Sequence, residues 1–246
     1  MKKQVTNYDY NNEFLKINEL EYRVGPNMIG KWLWPIEDTL CWEFFNKHEL
    51  KEWGANNHLP NEVIKLLPKE KRKLIIQAGG NSGFYPLLYS NEFERVVTFE
   101  PDHRWFICLV HNANKKNIFK FQSALGNDNI PITLVAPYLK GKENLGALYI
   151  ENNGVIPKIK IDSLGCDPDC IHLDIEGSEW EALLGAVETI KRAKPMIVVE
   201  WNQSGQRYGW SDDKIENMFQ DLDYILYKEW PRDRSYIHKD RINEYV

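Results

Sequence analysis

Three short stretches of this chain carry residue types and spacings that could do chemistry. The first is Leu74-Ile-Ile-Gln-Ala-Gly-Gly-Asn-Ser-Gly-Phe-Tyr-Pro86, where glycines directly follow a short apolar run. Glycine permits a tight turn there and lets backbone amides approach a ligand at the start of the next helix. Gly79, Gly80 and Gly83 do not match the G-x-G-x-x-G spacing, which disfavours a nicotinamide dinucleotide. The second stretch, Val97-Thr-Phe-Glu-Pro-Asp102, places Glu100 21 positions beyond Gly79. An acidic side chain at that point can accept both hydroxyls of a ribose. The third is Ile171-His-Leu-Asp-Ile-Glu-Gly-Ser-Glu179. Its Asp174 and Glu176, two apart, share one side of an extended segment.

Asp174, Glu176 and His172 are the candidates for taking a proton from a substrate hydroxyl. His172 alternates with Leu173 along an expected strand and reads better as a core histidine with its hydrogen bonds satisfied. Glu176 and Glu179 have a competing role, because carboxylates favour helix N-termini. Glu200 and Asn202 close a further apolar run and would bring oxygen donors beside Asp174. Hard oxygen ligands of that kind suit Mg²⁺, so Asp174, Glu200 and Asn202 form an expected metal set.

These residues need a scaffold that gathers strand ends. Leu74-Ile-Ile76, Val96-Val-Thr-Phe99, Ile118-Phe-Lys-Phe121, Ile171 to Ile175 and Met196-Ile-Val-Val199 read as buried strands. Helices are predicted over Phe84 to Ser90, His103 to Lys115 and Glu179 to Arg192. Alternation of this kind implies a parallel sheet covered on both faces. Ligands bind such sheets at the carboxyl ends of the strands, where Gly79, Glu100, Asp174 and Glu200 would converge. Tyr224-Ile-Leu-Tyr227 and Ser235-Tyr-Ile-His238 are separated only by turn residues, so they must pair antiparallel. Ile132-Thr-Leu-Val135, Leu148-Tyr-Ile150 and Ile156 to Ile161 read as short strands of an insertion. Asn144-Leu-Gly146 and Glu151-Asn-Asn153 are expected to border the substrate.

Residues 1–60 read as an irregular, aromatic-rich extension, with a helix expected from about Glu37 to Gly54 on the spacing of Leu40, Phe44, Phe45 and Leu50. Residues 61–246 would form the main domain. Trp32, Trp34, Trp42 and Trp53 could cover a sugar-like ligand with aromatic faces or form a second core.

Bulk composition narrows the function classes. The 246 residues hold 31 basic and 36 acidic side chains, a formal charge of −5, with 43% hydrophobic and 27% charged residues. That is an ordinary globular balance, against disorder or an extended coiled coil. A slightly acidic chain is a poor sequence-independent binder of nucleic acid. Four cysteines, with only Cys166 and Cys170 close together and no second pair, do not make a zinc site, and reduced thiols are expected. The first ten residues hold two lysines with no apolar stretch behind them, and no segment approaches the ~20 apolar residues of a membrane span. A cytoplasmic protein is expected.

Taken together, Gln-Ala-Gly-Gly-Asn-Ser-Gly at 77–83, Phe-Glu-Pro at 99–101, Ala-Leu-Gly at 124–126, Asp-Ile-Glu-Gly-Ser-Glu at 174–179 and Pro-Met-Ile-Val-Val-Glu at 195–200 resemble the FkbM-type S-adenosylmethionine-dependent methyltransferases. The resemblance runs from about Lys73 to Trp201. It implies the Rossmann-like class I methyltransferase fold: a mostly parallel seven-stranded sheet, an antiparallel C-terminal hairpin and helices on both faces. It also implies S-adenosylmethionine lying across the strand ends. The methionine part would sit by Gln77, Gly79, Gly80, Asn81 and Gly83, the ribose on Glu100, the adenine near Ser123 and Ala124, and Asp174 beside them. The commoner family pattern has an acidic residue where this chain has Gln77, which would weaken the contact to the methionine ammonium. The implied reaction is methylation, at oxygen, of a sugar or other small glycosylated acceptor. A catalytically silent relative that keeps the fold, motivated by Gln77, and a nucleotide-dependent oxidoreductase are the rival readings.

Overall fold

The pentapeptide Leu74–Ala78 is buried at every position, which only a strand covered on both faces can be. In the computed structural model, which describes residues 14–17, 20–27, 30–38, 59–139 and 141–245, this strand (β1) lies inside a seven-stranded sheet. The others are β2 (Arg95–Phe99), β3 (Ile118–Phe121), β4 (Cys170–Leu173), β5 (Met196–Glu200), β6 (Tyr224–Glu229) and β7 (Asp233–His238). Their spatial order is β3-β2-β1-β4-β5-β7-β6. The first five run parallel, and β7 is antiparallel to both β5 and β6. The expected α/β architecture with its antiparallel end hairpin is therefore the one observed.

Period-two alternation along the strands feeds two cores. Ile75, Val96, Cys170, Met196 and Val198 face one layer; Ile76, Phe99, Ile171, Leu173, Ile197 and Val199 face the other. Helices α1 (Leu59–Leu66), α2 (Phe84–Tyr89) and α3 (His103–Asn112) cover the first layer through Val63, Leu87, Tyr89, Trp105 and Leu109. Helices α4 (Glu179–Leu184), α5 (Val187–Ala193) and α6 (Asp212–Asp221) cover the second through Ala182, Leu183, Ile190, Ile215 and Phe219. Chain order reverses between β1 and β4, so the loops leaving these two strands diverge to opposite faces and open a crevice at their carboxyl ends.

Several local expectations are corrected. The single helix expected over Glu179 to Arg192 is two, broken at Gly185 and Ala186. The Asp162 amide donates to the Gly185 carbonyl at 2.9 Å, and the Asp162 carboxylate accepts from the Thr189 amide at 2.7 Å, so a distant residue caps α5. The strand expected to reach Ile175 stops at Leu173, because Glu176 and Gly177 adopt left-handed backbone (φ 55° and 104°). The helix from His103 ends at Asn112 rather than Lys115, and its start is capped by the Asp102 carboxylate, which accepts from the Arg104 and Trp105 amides at 2.9 and 3.2 Å.

The N-terminal residues that are described are not irregular. Phe14–Ile17, Leu20–Asn27 and Gly30–Pro35 form a three-stranded antiparallel sheet. Trp32, Leu33 and Trp34 are all buried in the first core layer. Asn112 of α3 holds the last of these strands from the side: its Oδ1 accepts from the Leu33 amide at 2.7 Å, and its Nδ2 donates to the Leu33 carbonyl at 2.9 Å. Glu37 and Asp38 follow the third of these strands as a turn and its end, and the rest of the helix expected to Gly54, with Trp42 and Trp53, lies outside the described residues.

The insertion between β3 and β4 follows its expected strands in part: the run expected over Ile156 to Ile161 is a strand only at Lys158–Ile159, and Ile161 opens a 3-10 helix that ends at Leu164. Ile132–Val135 pairs antiparallel with Tyr149–Asn152, and Ala124–Leu125 pairs parallel with Lys158–Ile159. Trp105 Nε1 donates to the Leu145 carbonyl at 2.8 Å and ties the insertion to α3. Cys108, Cys166 and Cys170 are free thiols. Among the described residues no helix is long and apolar enough to cross a membrane.

Candidate functional site

A cavity of about 390 Å³ opens over the crevice between β1 and β4, a size suited to a small-molecule site. Its floor comes from strand ends: Ala78 to Ser82 after β1, Phe99 to Pro101 at the end of β2, Asp174 to Glu176 after β4, and Glu200 at the end of β5. One wall is apolar, made by Trp34, Trp105, Leu134, Leu145, Leu148 and Ile150. The hairpin turn before β7 adds Arg232 and Asp233.

The glycine loop is knitted to its neighbours through backbone. The Gly79 and Gly80 amides donate to the Phe99 carbonyl at 3.1 and 2.9 Å, and the Asp174 amide donates to the Ala78 carbonyl at 3.2 Å. Gly79 has φ 83°, and a side chain there would run into the Asp174 carbonyl. Gly80, Asn81 and Ser82 follow it along the cavity. Gly83, by contrast, does not line it. It begins α2 at φ 94°, pressed against Ala113 and Leu109 of the α3 end, so its role is packing.

Glu100 is 5% exposed and faces the cavity. Oε2 accepts from the Asn81 amide at 2.7 Å and Oε1 from the Asp102 amide at 2.9 Å. Burial outweighs these two donors and pushes the carboxyl up to about 8. At the same end of the cavity, Ser123 and Ala124 line the wall, and Ser123 Oγ is buried with no hydrogen-bond partner.

Gln77 is a correction. It is fully buried and points away from the cavity: Nε2 donates to the Ala78 and Gly79 carbonyls, both at 2.9 Å, and Oε1 accepts from Thr98 Oγ1 at 2.5 Å. Its amide thus holds the loop from beneath, a job that needs both a donor and an acceptor. A carboxylate has no donor. Gln77→Asp is therefore expected to weaken ligand binding and lower the melting temperature, by the about 1–3 kcal/mol of leaving buried polar groups unpaired. Calorimetric titration with S-adenosylhomocysteine and a thermal melt check this; tighter binding with an unchanged melt would refute it.

The opposite end of the cavity is acidic. Asp174, Glu176 and Glu200 each offer an oxygen within 4.8 Å of the others. Burial raises Asp174, with Arg232 opposing. Burial and then Asp174 bring Glu176 to about 7, and burial with Asp174 and Glu176 brings Glu200 to about 10. Glu200 Oε1 accepts from Arg232 Nη2 at 2.5 Å. Asn202 is the second correction: its Oδ1 accepts from the Ser204 amide at 2.9 Å, and it does not line the cavity. Glu176 takes the third place in the oxygen cluster. Glu179 serves the turn, since Oε1 accepts from the Ile175 and Gly177 amides at 3.0 and 3.3 Å.

His172 is a core residue, as its alternation suggested. Its hydrogen bonds are only half satisfied, however: Nδ1 lies 2.8 Å from the Tyr89 hydroxyl, whereas Nε2 is buried with no hydrogen-bond partner, and burial depresses the ring to about 3, so it stays neutral. Tyr85 stacks on its ring at 5.4 Å between centroids and reaches the cavity. Of the sequences expected to border the substrate, Leu145 and Gly146 line the cavity, whereas Glu151 to Asn153 are exposed. Sequence reasoning missed Arg232 and Asp233 by reading them as turn residues. The pairing of Glu200 with Asp233 across β5 and β7 is what delivers them.

Comparison with known proteins follows the same residues. Among solved structures, the chain is similar to a methyltransferase FkbM from Methylobacillus flagellatus KT, with 21% identity and TM-score 0.47, over 68% of this chain and 44% of that one. It therefore spans less than half the length of that protein. It is also similar to a TehB-like SAM-dependent methyltransferase from Corynebacterium glutamicum (13% identity, TM-score 0.46, 80% of this chain and 97% of that one). A third is the magnesium protoporphyrin IX methyltransferase of Synechocystis PCC 6803 (10% identity, TM-score 0.46, 74% and 79%). No curated protein matches the sequence. The methyltransferase FkbM domain matches residues 77–226, from the glycine loop through β5 into β6 and so across every strand end that floors the cavity, and the chain belongs to that family.

Proposed function

We propose that this protein transfers a methyl group from S-adenosylmethionine to a hydroxyl oxygen of a sugar or other small glycosylated acceptor. The observation that carries the reading is the pair of unlike ends in one cavity. Glu100 and the unpartnered Ser123 Oγ at one end offer acceptors and a donor to a nucleoside, and carboxylates at the other suit a cationic methionine end and a proton-losing acceptor. The residues fit the cofactor. Each Glu100 oxygen keeps a lone pair beyond its backbone amide for a ribose hydroxyl, and the bare Gly79-Gly80 turn leaves room for close approach.

When bound, S-adenosylmethionine would supply an electrophilic methyl on sulfur. The chain's own part is to orient the acceptor and manage its proton. Asp174 and Glu176 are the bases in this reading, and a carboxyl brought to about 7, as Glu176 is, can hold or release a proton near neutral pH. Trp34, brought in by the N-terminal sheet, would give the acceptor an aromatic wall, which supports a covering role for the described part of the N-terminal extension. Mg²⁺ at the acidic end would help orient an acceptor hydroxyl.

The test is calorimetric titration of the full chain with S-adenosylmethionine and S-adenosylhomocysteine, followed by mass spectrometry of glycans and glycosides incubated with methyl-labelled cofactor. Binding of both, with label on an acceptor oxygen, is expected. Binding of NAD and not of either cofactor form would overturn the reading, and label on nitrogen would move it to a different acceptor class.

A further inference from the structure

We propose that segment 204–210 is a clasp that holds the insertion over the cavity, and that the cavity admits and releases its ligand when the contacts of Tyr208 with Ile150 and of Arg207 with Tyr149 open. That the ligand is S-adenosylmethionine rests on the methyl-transfer reading; the local opening does not.

One jaw of the clasp is rigid. After β5 the chain forms a short 3-10 helix over Ser204–Tyr208 and reaches Trp210, which is buried in the second core layer. Trp210 Nε1 donates to the Gly177 carbonyl at 2.8 Å, and Gly205 lies so close to the indole that a side chain there would overlap the ring. Gly177, at φ 104°, packs in turn against the backbone of Ser204 and Gly205. The segment is therefore locked to the turn that carries Glu176.

The other jaw is free to move. Ile132–Val135 and Tyr149–Asn152 form a two-stranded ribbon outside the seven-stranded sheet, and a lone pair of strands is marginally stable by itself. Its backbone joins the body further along, where the Ala124 and Gly126 amides donate to the Pro157 and Ile159 carbonyls at 2.9 and 3.0 Å. At Tyr149 and Ile150 the ties to the rigid jaw are made by side chains. The Ile150 amide donates to the Tyr208 hydroxyl at 2.7 Å, and the exposed Arg207 places its guanidinium carbon 4.0 Å from the centroid of the Tyr149 ring. One hydrogen bond and one exposed cation–π contact are weak enough to open without unfolding the domain.

What the clasp governs follows from the lining of the cavity. Leu134, Leu148 and Ile150 come from the insertion and form much of the apolar wall, whereas Glu176 stands on the side of the rigid jaw. Closing the clasp brings wall and acids together around a ligand, and opening it parts them. Closure of that kind excludes water and meters release. Glu151 to Asn153 and Val155 are exposed, so the far end of the ribbon is not pinned under other described residues.

Amide hydrogen exchange of the full chain labelled at isoleucine, read by nuclear magnetic resonance, tests the opening, and stopped-flow displacement of S-adenosylhomocysteine tests its consequence. Without ligand, the Ile150 amide is expected to exchange about tenfold or more faster than that of Ile197 in β5. Arg207→Ala should speed Ile150 by a further factor of about three and leave Ile197 unchanged, although Tyr208, the acceptor of that amide, is intact. S-adenosylhomocysteine should slow Ile150 exchange and should leave Tyr208→Phe about fivefold faster than it leaves the parent. Tyr208→Phe keeps the ring and removes one acceptor, and a melting temperature close to that of the parent marks it as folded. An Ile150 amide that exchanges no faster than Ile197 overturns the clasp, as does one that Arg207→Ala leaves unchanged. Release of S-adenosylhomocysteine at one rate from parent and Tyr208→Phe overturns it too. Failure of S-adenosylhomocysteine to bind at all sinks the methyl-transfer reading instead, and the ligand-free exchange then decides the clasp by itself.

Discussion

Gly79→Ala is expected to abolish cofactor binding and to lower the melting temperature by about 10 °C. A β-carbon at this position would be driven into the Asp174 carbonyl oxygen, and that atom is backbone at the end of β4, so no rotamer change relieves the contact. The residue also sits at φ 83°, where a non-glycine residue costs about 1–3 kcal/mol by itself. Strain and overlap together reach about 3–5 kcal/mol, in the range reserved for named structural failures. For a chain of this length each kcal/mol is worth about 2–4 °C. The consequence for the site follows from the same contact: separating β1 from β4 moves Asp174 away from Gly80 and Glu100, so the two ends of the cavity lose their spacing. Gly80→Ala is the comparison, because its added carbon meets the Leu109 side chain at 2.8 Å and Thr98 Oγ1 at 3.0 Å, groups that can shift. A Gly79→Ala protein that melts with the parent and binds S-adenosylhomocysteine normally would show that the strand ends are not coupled in this way.

How much of this was legible in the sequence depends on whether a signal was local. The five parallel strands were, because runs such as Leu74-Ile-Ile and Met196-Ile-Val-Val are apolar on both faces and end in glycine or an acid. Glu100 was legible for the same reason: a strand end plus a fixed distance from the glycine turn. The break between α4 and α5 was not, since nothing between Glu179 and Arg192 announces that Asp162, far upstream, caps the second half. The strand character of Gly30–Pro35 was hidden because Trp32, Leu33 and Trp34 are buried consecutively, without the alternation that marks a half-exposed strand. Gln77 shows a subtler limit. Period two gives the face a strand residue points to, but the choice between facing the ligand and bracing the loop was made by Thr98 on the neighbouring strand. Asp174 and Glu176 do reach one cavity, though by a left-handed turn at Glu176 rather than by the extended geometry their spacing suggested. That turn is also why Glu176, and not Asn202, completes the oxygen cluster.

Glu100→Ala is expected to weaken S-adenosylmethionine binding about ten- to a hundredfold or more. Losing the side-chain partner of two ligand hydroxyls, at about 0.5–1.5 kcal/mol for each hydrogen bond, costs about 1–3 kcal/mol, which spans that range in affinity. The substitution removes more than a ligand contact, because the same carboxylate holds the Asn81 and Asp102 amides and so fixes both the glycine loop and the entrance to α3. Freed of that clamp, the loop must be reordered by each binding event, which adds to the loss. Glu100→Gln separates the two effects, since its amide oxygen can still take the Asn81 proton while its NH₂ group faces the Asp102 donor. An intermediate loss is expected. The titration of Glu100 supplies a second readout. With its carboxyl raised from 4.5 to about 8, the folded chain holds a proton that the unfolded chain releases, so the stability this contributes is complete below about pH 4.5 and is lost as pH rises through 8. Melting temperatures of the ligand-free protein should therefore fall across that window more steeply in the parent than in Glu100→Gln. If both proteins show the same slope and the same affinity for S-adenosylhomocysteine, Glu100 is neither buried as described nor part of the nucleoside end of the site.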